Sequence, residues 1–377
     1  MANTIKALLK EGQSVWQDDI SRQMLESGAL KQRIDEVGIR GVTSNPTIFQ
    51  KAIAGGTAYD EDIKALLGDG KSAAEIFQTV AVKDIQDACD LFRPIYDESG
   101  GEDGFVSIEV LPSLARDTEG TLDNARTLWK AVDRPNLMVK VPGTAEGVPA
   151  IEALLTEGIN INITLLFSLE NYERVARAYI KALHARHEQG LHIDTIASVA
   201  SFFVSRVDTL ADKKLDEKLA AGGDAGVING LKGKAAVANA KLAYETFEKL
   251  FGSAEFAPLA DAGAKVQRPL WASTGTKNKA YSDILYVETL IGPHTVNTMP
   301  ITTMEAFLDH GTVKRTVDTD YAGAHQVIAD LASVGIAIDD ITRQLEDEGI
   351  EAFIHSYDDL LEGVESKRSA LAGAVGN

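Results

Sequence analysis

A single cysteine, Cys89, stands among 377 residues. With one thiol no internal disulfide can form, and no Cys/His spacing suited to a metal exists. A reducing compartment is the expectation, with neither metal nor cofactor. Long apolar runs are missing too: nothing approaches the ~18 residues of a membrane-spanning helix, and the opening "MANTIKALLKEGQSVWQDD" has no continuous apolar centre of the secretory kind. The expected location is therefore the cytoplasm, with no membrane as partner. Basic residues are in the minority, 37 against 56 acidic, for a net charge of -19. That balance disfavours nucleic acid or an anionic lipid surface as partner. No G-x-G-x-x-G or Walker-type glycine loop is present to cradle a nucleotide. An anionic substrate would need basic residues gathered locally.

What the chain has is an ordinary globular composition, 45% hydrophobic and 25% charged, enough to build a sizeable core. Its length exceeds the usual single domain, yet (β/α)8 barrels commonly use this much sequence as one unit. Short apolar segments alternate with longer amphipathic ones, the pattern of repeated strand-helix units and a parallel sheet. Strands are expected at 14–19, 38–46, 104–110, 136–142, 161–167, 195–201, 269–273 and 285–290, the last being "LYVETL". Eight such segments favour a closed (β/α)8 TIM barrel over an open doubly wound sheet.

The helices are clearer. In "SLENYERVARAYIKALHARHEQG", Tyr172, Val175, Ala176, Tyr179, Ile180 and Leu183 recur at the spacing of one buried face, with Ser168 placed to cap. "SAAE" at 72–75 has the form of a capping box. The region 208–265 reads as a helical insertion, and 321–377 as a helical extension packed over a single barrel domain of residues 1–377.

Side-chain parity gives the first indication of function. Side chains alternate across a strand, so one face meets the surrounding helices and the other the barrel interior. In "NLMVKV", Leu137, Val139 and Val141 share one face, while Met138 and Lys140 share the other. In "FVSIEV", Ser107 and Glu109 oppose Val106, Ile108 and Val110. In "NINIT", Asn160, Asn162 and Thr164 oppose Ile161 and Ile163. The same parity puts Asp18 with Ser14 and Trp16, and Ser273 with Trp271. Polar groups late in several strands converge at the C-terminal mouth of a barrel, where such folds place their chemistry. The expected set is Asp18, Asn45, Glu109, Lys140, Asn162, Thr164 and Ser273.

Lys140 is the exceptional member, because lysine is rarely buried without a partner. Apolar walls penalise the charged amine and favour its neutral, nucleophilic form, which suits attack on a carbonyl. The resulting Schiff base is an electron sink that lets a neighbouring carbon-carbon bond break. Such chemistry moves protons at two oxygens, and two carboxylates on different strands can divide that work. No histidine falls at a strand end, so a Ser-His-Asp hydrolase finds no support. Arg206 and Lys277 follow two strand ends, and with Ser201 and Ser273 they can hold a phosphate, the arginine bidentately.

These segments resemble the transaldolase family. "GVTSNPTIF" is similar to the family's N-terminal signature, and "NLMVKVPGTAEGVPAIEALLTEGININITLLFS" to its lysine-containing one. "VSIEV", "SVASFFVSRVD" and "RPLWASTGTKN" extend the likeness, and "VWQDDISR" resembles the longer bacterial subfamily. The resemblance implies transfer of a dihydroxyacetone unit from sedoheptulose 7-phosphate to glyceraldehyde 3-phosphate, giving erythrose 4-phosphate and fructose 6-phosphate in the pentose phosphate pathway. It implies Lys140 as Schiff-base lysine, Asp18 as acid/base, and Glu109 with Thr164 as holders of a proton-shuttling water. It further implies Asn45 and Asn162 on substrate hydroxyls, with Ser201, Phe203, Arg206 and Ser273 shaping the site or holding phosphate. Two departures are visible. "STGTKN" lacks the arginine of better-known members, leaving Lys277 in its place, and the Asp18-Asp19 pair admits two registers, of which parity and motif favour Asp18. An aldolase releasing free dihydroxyacetone, or a non-catalytic sugar-phosphate binding protein, would share much of this pattern.

Overall fold

The computed structural model describes residues 3–67 and 70–375, with side chains to residue 372. Its strands are β1 (Gln13–Gln17), β2 (Gly41–Val42), β3 (Val106–Glu109), β4 (Leu137–Pro142), β5 (Ile161–Leu166), β6 (Ser198–Phe203), β7 (Arg268–Ala272) and β8 (Thr295–Met299). All pair in parallel in chain order, and β8 closes on β1 through Gln13↔Thr295 to Gln17↔Met299. This is the (β/α)8 barrel with helices between strands and further helices at the C-terminus. Closure is what leaves no strand edge unpaired.

The outward faces explain the helical shell. Val139, Val141, Ile161 and Ile163 are fully buried, and each such side chain contributes about 1.5–3 kcal/mol of hydrophobic stabilisation. Against them pack helices such as Leu169–Glu188, whose Tyr172, Val175, Ala176, Tyr179, Ile180 and Leu183 are buried as their spacing requires. Ser168 caps this helix, its Oγ accepting from Asn171 N at 3.1 Å, and Ser72 with Glu75 forms the capping box of the helix Ala73–Glu98. At β2 the barrel tightens: a Cβ on Gly41 would stand 2.7 Å from both the Trp16 ring and the Phe105 carbonyl. Only glycine fits there.

One expected strand is wrong. "LYVETL" forms a short helix, Leu285–Glu288, and the eighth strand comes later, at "TVNTM". The reason lies in its helix-facing side, which carries Thr295 and Asn297 rather than aliphatic residues. Their side-chain oxygens are hydrogen-bonded locally, Thr295 Oγ1 accepting from Gln13 Nε2 at 3.0 Å and Asn297 Oδ1 from Thr274 Oγ1 at 2.9 Å, while Asn297 Nδ2 is buried without a partner. A fully buried strand thus lacks the apolar alternation that marks β3, β4 and β5.

Four helices, Ser205–Ala220, Ala225–Leu231, Ala235–Phe251 and Ala257–Asp261, separate β6 from β7. Two more follow β8 beyond Ile301–His310: Tyr321–Ser333 and the 38-residue Ile338–Val375. At the N-terminal mouth, Asp103 accepts from Trp16 Nε1 at 2.8 Å and from Ser14, with Arg40 and Arg268 at 3.6 and 3.9 Å. No single helix among the described residues is long and apolar enough to cross a membrane.

Candidate active site

A cavity of about 550 Å³ opens at the C-terminal ends of the strands. Asp18, Asn45, Lys140, Thr164, Ser201, Phe203, Arg206, Ser273 and Lys277 line it. Glu109 and Asn162 do not; they occupy the strands flanking Lys140, in register with it, as Glu109↔Lys140 and Lys140↔Asn162. Three neighbouring strands thus deliver a carboxylate, an amine and a carboxamide on one rung.

Lys140 is 5% exposed. Its Nζ donates to the Ser44 carbonyl at 2.9 Å and stands 3.6 Å from Glu109 Oε1. Both carboxylate oxygens of Glu109 are buried without a hydrogen-bond partner, and so is Thr164 Oγ1. Burial pushes the Glu109 carboxyl above its ordinary value, the Lys140 charge opposes this, and Asp18 reinforces it. Buried polar atoms are nearly always satisfied, so orphans grouped around an amine mark a place for water or substrate.

Asp18 sits just beyond β1. Its backbone N donates to the Met299 carbonyl at 3.0 Å, and its Oδ1 accepts from Thr43 Oγ1 at 2.7 Å. Thr43 is itself bonded to Thr298 at 2.6 Å, so the carboxylate is held from two strands. Asp19 also lines the cavity. Burial and then the Asp18 charge push its carboxyl up.

Asn45 serves two purposes. Its Oδ1 accepts from Ile48 N at 3.0 Å, capping the helix Pro46–Ala54, while the residue lines the cavity. Asn162 has no free end: Nδ2 donates to Ser107 Oγ at 3.0 Å, and Oδ1 accepts from Ser201 Oγ at 2.6 Å. Fully buried, it fixes the floor from beneath rather than forming its surface.

Across the cavity Arg206 is half-buried, its Cζ 5.5 Å from the Phe203 ring centroid. Burial pushes its guanidinium below its ordinary value, and the Glu348 charge pulls it back. Among the described residues it makes no ion pair, whereas Arg268 and Arg40 are each drawn to Asp103. A desolvated, unpaired fork is ready for a bidentate anion. Beside it, Ser273 Oγ lies 2.9 Å from Ser205 Oγ.

Ser273 reaches the cavity for a different reason from strand parity. Trp271 faces the helical layer, with Phe202 at 6.3 Å between ring centroids and its Nε1 donating to the Leu290 carbonyl at 3.0 Å. Simple alternation would send Ser273 outward as well. Its φ of 56° breaks the alternation, a left-handed conformation that costs a non-glycine residue about 1–2 kcal/mol.

Thr43, Lys51, Thr298 and Phe353 also line the cavity, and sequence reasoning missed them. Lys51 follows Asn45 on the same helix, a proximity that makes it findable. Phe353 belongs to the C-terminal helix and carries no local signal. With Lys51, Lys140, Arg206 and Lys277 against Asp18 and Asp19, the lining is positive in a chain of net charge -19. Local charge thus favours an anionic substrate.

Comparison with known proteins agrees with this geometry. The family model for transaldolase/fructose-6-phosphate aldolase matches residues 15–364. A transaldolase of Trichodesmium erythraeum is 49% identical over 365 residues, 96% of each chain. Transaldolases of Thermobifida fusca and Mycolicibacterium smegmatis are each 48% identical, covering 98% and 97% of this chain and 100% and 98% of their own. Likeness of this extent, over a barrel whose mouth gathers a buried lysine with two carboxylates, places the chain in the transaldolase/fructose-6-phosphate aldolase family.

Proposed function

We propose that this chain is a transaldolase: a transferase that moves a dihydroxyacetone unit from sedoheptulose 7-phosphate to glyceraldehyde 3-phosphate through a Schiff base on Lys140. The observation that carries the mechanism is the placement of Lys140 Nζ, 3.6 Å from Glu109 and on the floor of a cavity that Asp18 also lines. The amine adds to the ketose carbonyl, and the carbinol oxygen leaves as water once protonated. Glu109 and Thr164 supply that proton through a bound water, which would satisfy the three orphaned oxygens they present. Loss of a proton from the C4 hydroxyl to Asp18 then breaks the C3–C4 bond, and the electrons flow into the imine to leave an enamine.

In the second half the enamine carbon attacks the aldehyde of glyceraldehyde 3-phosphate, Asp18 returns the proton to the new hydroxyl, and water releases fructose 6-phosphate. Asn45 binds substrate hydroxyls and Asn162 holds Ser201 in place. Arg206, Ser273 and Lys277 bind the phosphate, with Phe203 supporting the guanidinium. The chemistry needs no cofactor. It belongs to the pentose phosphate pathway, and the buried free thiol of Cys89 fits a cytoplasmic setting.

The matched family also includes fructose-6-phosphate aldolases, which gives a second reading: water in place of an acceptor aldehyde, with free dihydroxyacetone as product. A product assay with fructose 6-phosphate, run with and without erythrose 4-phosphate, separates the two. Transaldolase activity predicts sedoheptulose 7-phosphate only when the acceptor is present. Steady release of dihydroxyacetone regardless of acceptor would establish the aldolase instead.

A further inference from the structure

We propose that Phe353, on the C-terminal helix, is a specificity-determining residue that shields the enamine from solvent and so commits the bound three-carbon unit to transfer. This inference rests on the Lys140 Schiff-base reading. Phe353 lines the same cavity as Lys140, yet it comes from the helix Ile338–Val375, an element outside the barrel.

That helix is fastened on both sides of the phenylalanine. Thr47 Oγ1 donates to Ser356 Oγ at 3.0 Å, tying it to the segment after β2. Glu346 accepts from Asn171 Nδ2, tying it to the helix after β5. Between these points the backbone drops close to the barrel: a Cβ on Gly349 would stand only 3.0 Å from Leu165 Cδ2. Phe353 is therefore held at the cavity lining between two fixed supports, and it is half-buried.

The consequence follows from how the enamine can be resolved. For transfer, its carbon forms a bond to the acceptor aldehyde carbon, and the aldehyde oxygen takes a proton. For loss, the same carbon takes a proton instead. In both cases one water then adds to the C=N bond, the C–N bond breaks, and the Lys140 amine is restored. The routes differ only in what reaches the carbon, so access of solvent protons there sets the partition. An apolar wall over the mouth slows loss without contributing to the chemistry of transfer.

The test uses the full chain with fructose 6-phosphate as donor and erythrose 4-phosphate as acceptor, quantifying free dihydroxyacetone and sedoheptulose 7-phosphate by NMR in the same reaction. Their ratio is a property of each turnover, so partial loss of folded enzyme leaves it unmoved. Phe353→Ala is expected to raise the ratio of dihydroxyacetone to transfer product by about tenfold, and Phe353→Leu, which keeps an apolar wall, to stay near wild type. Gly349→Val, which adds bulk where the helix packs on the Leu165 side chain, is expected to shift the ratio in the same direction as Phe353→Ala. An unchanged ratio in Phe353→Ala and Gly349→Val, with both products falling together, would overturn the proposal. Absence of any Lys140-bound intermediate in the wild type would instead remove the reading beneath it.

Discussion

Lys140 and Glu109 face each other on adjacent strands, in exact register, with Nζ and Oε1 3.6 Å apart and neither carboxylate oxygen hydrogen-bonded. A buried carboxylate left this far short of satisfaction is costly for folding alone. The arrangement is better understood as one completed by water and substrate.

Replacing Glu109 by Gln should therefore slow imine formation rather than binding. Removing a group that moves protons costs about 10²–10⁴-fold in rate, read as slower single-turnover trapping of fructose 6-phosphate with little change in KM. Because burial holds the Glu109 carboxyl above its ordinary value, its charge opposes folding as pH rises. Glu109→Gln is accordingly expected to unfold at no lower a temperature than wild type at neutral pH.

Asp18→Asn should separate cleavage from imine formation. With Thr43 still able to donate to the carboxamide oxygen, the local fold is kept. Loss of the base should lower kcat by about 10²–10⁴-fold, while borohydride still captures a six-carbon adduct on Lys140. A variant that neither cleaves nor forms the adduct would place Asp18 earlier in the sequence of steps.

Arg206→Ala should act on the phosphate. Its unpaired guanidinium over Phe203 implies a bidentate contact, so kcat/KM for glyceraldehyde 3-phosphate should fall by about 10²-fold. Unphosphorylated glyceraldehyde, already a poor acceptor, should lose far less. Equal losses for both acceptors would indicate that Arg206 shapes the cavity without binding the anion.

Asp208 gives a pH dependence in stability. Buried in the first turn of the helix Ser205–Ala220, it accepts from Ala236 N at 2.7 Å and Tyr286 Oη at 2.8 Å, and burial raises its carboxyl to about 6 from 3.8. Between those values the folded chain holds a proton that the unfolded chain has released. Stability contributed at low pH is therefore lost as pH rises from about 4 to 6, by roughly 3 kcal/mol. Relative to Asp208→Asn, the wild type should lose stability across that interval in denaturant titrations. A flat difference would show that the two hydrogen bonds offset burial.

The barrel was legible where strands keep aliphatic residues toward the helices, as at Val139 and Val141 or Ile161 and Ile163. The eighth was misplaced because Thr295 and Asn297, with their side-chain oxygens bonded to neighbours, occupy that face in place of aliphatic residues. Lys140, Glu109 and Thr164 were placed by strand alternation alone. Ser273 was assigned to the cavity by an argument that fails at Trp271, and it arrives there through a left-handed backbone that no periodicity encodes. Phe353 was invisible because its place at the mouth depends on a helix more than 200 residues after Lys140 folding back across the barrel. Distance along the chain hides such a contact.

The central claim is that Lys140 is the covalent centre. Incubating the protein with fructose 6-phosphate, reducing with borohydride and mapping the adduct by peptide mass analysis tests it directly. The account predicts a three- or six-carbon addition on the peptide containing Lys140, absent from a Lys140→Ala protein that still folds and no longer catalyses transfer. An unmodified Lys140 peptide, or an adduct on another lysine, would contradict it.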